Sequence, residues 1–271
     1  MQIALAQLAG REGDIAYNLS RTLACLRDAD ADAETSLIVF PETHLTGFAE
    51  PGHVEDRALA LEGPELNALV TASREQDTAL AVGFLERDAE GVFNTTVLIT
   101  PEDGIALRYR KAHLWPDERQ LVGEGHRVGC VEWRGLQVGL LICYDLEFPE
   151  PARALGQLGC DLLLVTNGNM DPYGPVHARA AQARAQDNHY FVAMTNRAGE
   201  GAGLTFAGES ALVAPDGETL FRAEREESVT TLQLDLQRLP AARRDYDYQQ
   251  DCRIGLQGRR EDIGRGRYWH F

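Results

Sequence analysis

The chain is expected to adopt an α/β fold, and three features of the sequence point there. Short apolar runs of strand length recur throughout. Beyond residue 136 such runs alternate with helix-length stretches in a βαβα order. Turn-forming clusters such as Pro101-Glu102-Asp103-Gly104 separate pairs of β-rich segments.

Gln2 to Leu8 reads as the first strand. Gly10 to Gly13 then turns the chain into a helix from about Asn18 to Asp28, with Leu19, Leu23 and Leu26 on one face and Cys25 packing beside them. Leu37 to Phe40 is a short buried strand that runs into Pro41 and Glu42, so an acid stands where the apolar run stops. Gly63-Pro64-Glu65 signals a second helix, with proline at the first helical position. Ala79 to Leu85 is strand-like, and Phe93 to Thr100 with Ile105 to Arg110 forms the clearest hairpin, ending at Lys111. Val128 to Trp133 and Leu136 to Ile142 form another hairpin across Arg134-Gly135, and the second strand delivers Cys143 to a turn. Pro149 and Pro151 suit the opening of the next helix, where a missing N–H costs little. A strand over Leu162 to Val165, a helix over Val176 to Asn188 and a strand over Tyr190 to Thr195 follow, then a hairpin across Ala214-Pro215-Asp216-Gly217 and a closing strand over Ser228 to Leu234. Gly199 to Gly203 fails the GxGxxG spacing and reads as a flexible connection, not a phosphate cradle.

The 271 residues, 44% of them hydrophobic, suffice for a sizeable core. No composition shift or repeat marks a linker. The formal charge of -16 argues against a nucleic-acid partner, which needs a basic footprint. Five scattered cysteines without a CxxC pair suggest reduced thiols, neither a disulfide framework nor a zinc site. With no basic leader and no apolar run of spanning length, a cytoplasmic protein without membrane association is expected.

Three strand ends therefore offer a carboxylate, an ammonium and a thiol: Glu42, Lys111 and Cys143. A thiol becomes a nucleophile when a base takes its proton or a cation lowers its pKa. Glu42 as base, Lys111 as oxyanion partner and the Tyr144 backbone N–H as a further donor would make a nucleophilic site. Taken singly, Cys143 fits a buried packing thiol as well as a nucleophile.

Phe40-Pro41-Glu42, Tyr109-Arg110-Lys111-Ala112-His113-Leu114 and Cys143-Tyr144-Asp145-Leu146-Glu147-Phe148-Pro149-Glu150 resemble, in order, the three signature blocks of the nitrilase superfamily. The resemblance spans about residues 1–235 and leaves 236–271 as a tail, expected on the domain or on a partner subunit. It implies a four-layer αββα sandwich of two mostly six-stranded sheets, cofactor-free and metal-free hydrolysis of a non-peptide carbon-nitrogen bond, and a homodimer or larger homo-oligomer. Carried over by position, it makes Glu42 the general base, Lys111 the cation and Cys143 the nucleophile, with Glu118, chosen over Asp117, as a second glutamate. Tyr144 and Asp145 after the cysteine resemble the amidase and carbamoylase branches more than the true nitrilases, so a small amide is the expected substrate. Trp115, Tyr144, Asn167 and Met170 are the expected pocket residues, Asn167 and Met170 through a loop that follows a strand at the same edge.

Competing readings have their own signatures. A papain-like set of Cys143, His113 and Asp145 would leave the glutamate and lysine without roles. The histidines show no HExxH or comparable metal spacing. A catalytically silent binding protein of the same fold would have had no reason to keep the Glu, Lys, Glu and Cys set. Arg179 and Arg184 could clamp a carboxylate, as a carbamoyl amino acid would require, and Asp171 could favour an amine-bearing substrate.

Overall fold

Apolar residues at successive positions of the early strands bury both strand faces, and this doubling builds the layers. In Gln2–Gln7 (β1), Ile3 and Leu5 face one core while Ala4 and Ala6 face another. Thr35–Val39 (β2) and Ala79–Asp88 (β3) repeat the division, with Leu37, Val39, Ala79 and Ala81 on the first side and Ile38, Leu80 and Val82 on the second. The second side is covered by the helices Ile15–Ala31 (α1) and Pro64–Glu75, which contribute Leu26, Leu66 and Leu69. The computed structural model describes residues 1–31 and 35–271, with side chains over 1–28 and 35–271.

Sheet one has six strands. Ser228–Gln233 lies antiparallel to β1, β1 and β2 run parallel, as do β2 and β3, and Gly91–Thr100 (β4) and Gly104–Arg110 (β5) continue as antiparallel neighbours. Since β4 reverses the chain and β5 reverses it again, β2 and β5 end at the same edge of the sheet. Glu42 and Lys111 leave from that edge.

Sheet two has at its centre the parallel strands Leu136–Ile142, Leu162–Asn167 and Phe191–Asn196, with Arg127–Trp133 beside the first of them. The Arg134-Gly135 turn closes this hairpin with φ of 47° and 81°, the left-handed pair that a tight β-hairpin requires. Helices Pro149–Gln157 and Gly174–Asn188 cover the outer face. Where the two sheets meet, the Thr96 and Thr166 hydroxyls lie 2.6 Å apart. The result is the expected four-layer αββα sandwich.

Two expectations need correction. Among the described residues the second sheet has eight strands, not six, because Gly266–His270 of the tail pairs onto the edge of Arg127–Trp133 and Arg259–Ile263 pairs onto Gly266–His270 in turn. Tyr268 packs where Gly129 leaves room, since a Cβ at that glycine would stand 2.6 Å from the ring. Gly199 to Gly203 is also not a plain connection. Glu200–Gly201 and Leu204–Thr205 pair as a small ribbon whose Ala202 and Leu204 line the main hollow.

Truncation after Gln257 removes both tail strands and bares the pairing edge of Arg127–Trp133. Thermal unfolding of the truncated chain should show Tm lower by more than about 5 °C, with aggregation on heating. An unchanged Tm would mean that the tail strands add nothing to the sheet.

Candidate active site

Three strand ends and a turn converge on a cavity of about 240 Å³ lined by Glu42, Lys111, Glu118 and Cys143. The loop carrying Glu42 sits hard against β3, and only glycine permits that. A Cβ on Gly83 would lie 2.5 Å from the Thr43 nitrogen and 2.9 Å from the Pro41 carbonyl oxygen. Thr43 itself is left-handed, with φ of 46°. The Glu42 N–H then donates to the Asn167 carbonyl at 3.2 Å, tying the loop of sheet one to a strand of sheet two.

Cys143 also has a positive φ, 43°, at the point where Leu136–Ile142 breaks into a 3-10 turn over Cys143–Glu147. A non-glycine residue in this region costs free energy, and such strain persists where the surroundings over-determine it. Here Asp145 does so. Wholly buried, it accepts hydrogen bonds from the Tyr109 hydroxyl at 2.8 Å, the His113 N–H at 2.8 Å and the Ile142 N–H at 3.3 Å, with the His113 ring Nδ1 at 3.0 Å. One carboxylate thereby locks the cysteine turn to the segment that bears Lys111.

The ionic centre is closed off from solvent. Lys111 Nζ lies 2.7 Å from Glu42 Oε1 and 2.6 Å from Glu118 Oε2. Asn94 Nδ2 bridges the same two carboxylates at 2.8 and 2.7 Å, and the Trp115 N–H donates to Glu118 at 2.9 Å. Burial works against the Lys111 ammonium, but Glu118 and Glu42, with Cys143 behind them, hold its pKa well above the ordinary lysine value. Glu42 is raised above the ordinary carboxylate range by burial, which outweighs the neighbouring ammonium. The Cys143 thiol is pushed well up by burial and then by the Glu42 charge, against the pull of Lys111 and a Gly168 backbone hydrogen bond. At rest the pair is therefore a thiol facing a carboxylate of raised basicity.

The geometry leaves two valences open. Glu42 Oε1 is taken by Lys111 and Asn94, while Oε2 is buried without a hydrogen-bond partner. An ammonium has three protons, and Lys111 commits two of them to carboxylates.

Of the expected pocket residues, Trp115, Tyr144 and Met170 line the hollow. Asn167 does not. Its side chain is fully buried beside a second cavity, and it serves the site through its backbone carbonyl. His113 faces a different groove, stacked on Phe148 at 3.9 Å, so Cys143, His113 and Asp145 do not share one cavity. Asp171 pairs with Arg225 at 2.6 Å outside the hollow, and Arg184 donates to the Leu146 and Glu147 carbonyls. Tyr173, from the loop expected to shape the pocket, also lines the wall; sequence reasoning missed Asn94, whose one signal was an amide inside a strand of apolar residues and threonines, as well as Phe48 and His177 in the wall.

Comparison with known proteins identifies the family. A family model described as carbon-nitrogen hydrolase matches residues 2–244. An (R)-stereoselective amidase from a Pseudomonas species is 52% identical over 268 residues, covering 98% of this chain and 97% of its own. A CN-hydrolase superfamily protein from Xanthomonas campestris, with an arsenic adduct in its active site, superposes with a TM-score of 0.87 at 28% identity, covering 95% of this chain and 99% of its own. A variant of the amidase from Nesterenkonia sp. AN1, with an acetamide moiety covalently added at its active-site cysteine, superposes with a TM-score of 0.82 at 27% identity, covering 93% and 94%. The chain belongs to the carbon-nitrogen hydrolase family, as a cysteine-dependent enzyme.

Proposed function

We propose that the protein hydrolyses a small amide to a carboxylic acid and ammonia, with Cys143 as nucleophile, Glu42 as general base and acid, and Lys111 and Glu118 as the groups that hold the reacting atoms in place. The observation that carries this reading is the free Glu42 Oε2, buried and unpartnered in the hollow that also holds Cys143.

The steps follow from the open valences. Cys143 Sγ attacks the amide carbonyl while Glu42 Oε2 takes the thiol proton, so no free thiolate need exist beforehand. The tetrahedral oxygen accepts hydrogen bonds from the third Lys111 N–H and from the Tyr144 backbone N–H, with no proton transferred. Collapse expels the amine, which leaves as ammonia with the proton held on Glu42, and a thioester remains on Cys143. Water entering the vacated position gives a proton to Glu42 and attacks the thioester, and the acid departs as Cys143 is reprotonated. Glu118 and Asn94 keep Lys111 charged and Glu42 oriented throughout. Assembly as a homodimer or larger oligomer, and a cytoplasmic setting, form part of the same reading. Five unpaired thiols support the second, and apolar tail residues such as Ile254 and Phe271 left at the surface support the first.

Cys143→Ala should lower ammonia release from any substrate by about 10⁴-fold or more without altering the unfolding midpoint by more than a degree or two. Residual turnover near wild type would remove the thioester. Since Glu42 must be deprotonated to accept the thiol proton and its pKa is raised, kcat/KM should fall with decreasing pH through an acid limb above the usual glutamate value of about 4.3. Replacing Lys111 by methionine takes away the charge that opposes this rise, so that limb should move higher still in whatever activity remains. An acid limb at or below about 4.3 would point to another base. Asn94→Leu should cost about 10²-fold in kcat, with KM changed much less, because its amide orients the two carboxylates without touching substrate; a loss in KM alone would contradict that role.

A further inference from the structure

The charges around the hollow narrow the class of amide it accepts, provided that amide hydrolysis is the reaction. Lys111 is the only lysine or arginine among its described lining residues, and two of its three protons are already directed at carboxylates. Three more carboxylates line the same space: Glu50, Asp117 and Glu147. Glu50 is neutralised by Arg57 at 2.7 Å. Among the described residues Glu147 has only the His177 ring, at 3.1 Å, as a side-chain ion-pair partner, and Asp117 stands exposed with none.

Around these two carboxylates, neither of which has a lysine or arginine partner among the described residues, the wall is aromatic. Trp115 meets Tyr144 edge-on at 5.2 Å and Tyr173 at 5.6 Å. Trp115 lies two residues before Asp117, and Tyr144 three before Glu147, so rings and carboxylates come from the same two turns. A second, independent mark of an occupant is polar and buried. Glu42 Oε2 and His177 Nδ1 both lack partners, and both residues line this hollow. Aromatic faces attract cations, and carboxylates without countercharge do so more strongly. A carboxylate-bearing acyl chain would meet repulsion with no free guanidinium to offset it; Arg179 and Arg184 are not in the wall.

We propose that the substrate is an amide whose acyl chain bears a protonated amine, its ammonium seated by Asp117 and Glu147 against the Trp115, Tyr144 and Tyr173 rings while the carbonyl lies over Cys143. Asp117 and Glu147 are specificity-determining residues in this arrangement, and the net charge of -16 draws the same class of molecule toward the surface.

The test compares kcat/KM at pH 7 for 4-aminobutanamide, its neutral isostere pentanamide, and succinamate. The full-length enzyme should prefer the cation to pentanamide by more than about tenfold, with succinamate slowest, and the preference should shrink as salt is raised. In the double variant Asp117→Asn, Glu147→Gln, which keeps an acceptor for His177, the cation-to-neutral ratio should fall below about threefold and lose its salt dependence. Pentanamide or succinamate hydrolysed as fast as the cation would overturn the charge inference and leave amide hydrolysis standing, as would a double variant whose ratio is unchanged. No ammonia from any of the three, or from a wider panel of neutral amides, would overturn both.

Discussion

Two carboxylates share one ammonium where solvent scarcely reaches, and this sets the terms for the rest of the site. Lys111 is 2% exposed and Glu42 1%, so neither charge is solvated and each depends on the other. Removing one partner from such a cluster strands an uncompensated buried charge, which costs roughly 3–5 kcal/mol. Two buried carboxylates around one ammonium would be a liability in a structural core. In a hydrolase they keep a cation fixed, and they leave Glu42 with one carboxylate oxygen occupied and one free. Burial, with the Glu118 charge beside it, keeps Glu42 basic against the pull of Lys111, which is the property its proposed role requires.

The ionic cluster belongs to sheet one and the nucleophile to sheet two, so the chemistry needs a rigid tie between sheets. Asp145 supplies it by holding the Tyr109 hydroxyl and the His113 N–H from one side and the Ile142 N–H from the other. The Glu42 N–H bonded to the Asn167 carbonyl is a second tie. These bonds explain how Cys143 is kept at a positive φ: the turn is fastened at both ends by buried groups that would otherwise go unsatisfied. Asp145 lies outside the hollow that holds Cys143, yet its bonds fix where the reacting groups meet.

What could be read in the sequence was what local pattern controls. Glu42, Lys111 and Cys143 each follow an apolar run, and strand direction then determines that all three emerge toward one place. Pro64 and Pro149 marked helix starts because proline tolerates the first turn. Asn94 was illegible because its partners come from residues 42 and 118, a juxtaposition that only sheet packing creates. The tail strands were missed for a related reason. Arg259–Ile263 has little apolar content, and it is a strand because its hairpin partner Gly266–His270, itself paired to the open edge of Arg127–Trp133, receives its backbone, not because of side-chain periodicity. Asn167, expected in the loop after Leu162 to Val165, is instead the last residue of that strand, and its buried side chain lies beside a neighbouring cavity.

The most direct examination of this chemistry is to acid-quench the enzyme during the first turnover of a saturating amide and map the peptides by mass, in parallel with trapping by hydroxylamine. The peptide containing Cys143 should carry the mass of the acyl group, and hydroxylamine should divert that group to a hydroxamate. Acid formed steadily with no acyl mass on any cysteine and no hydroxamate would contradict a thioester at Cys143.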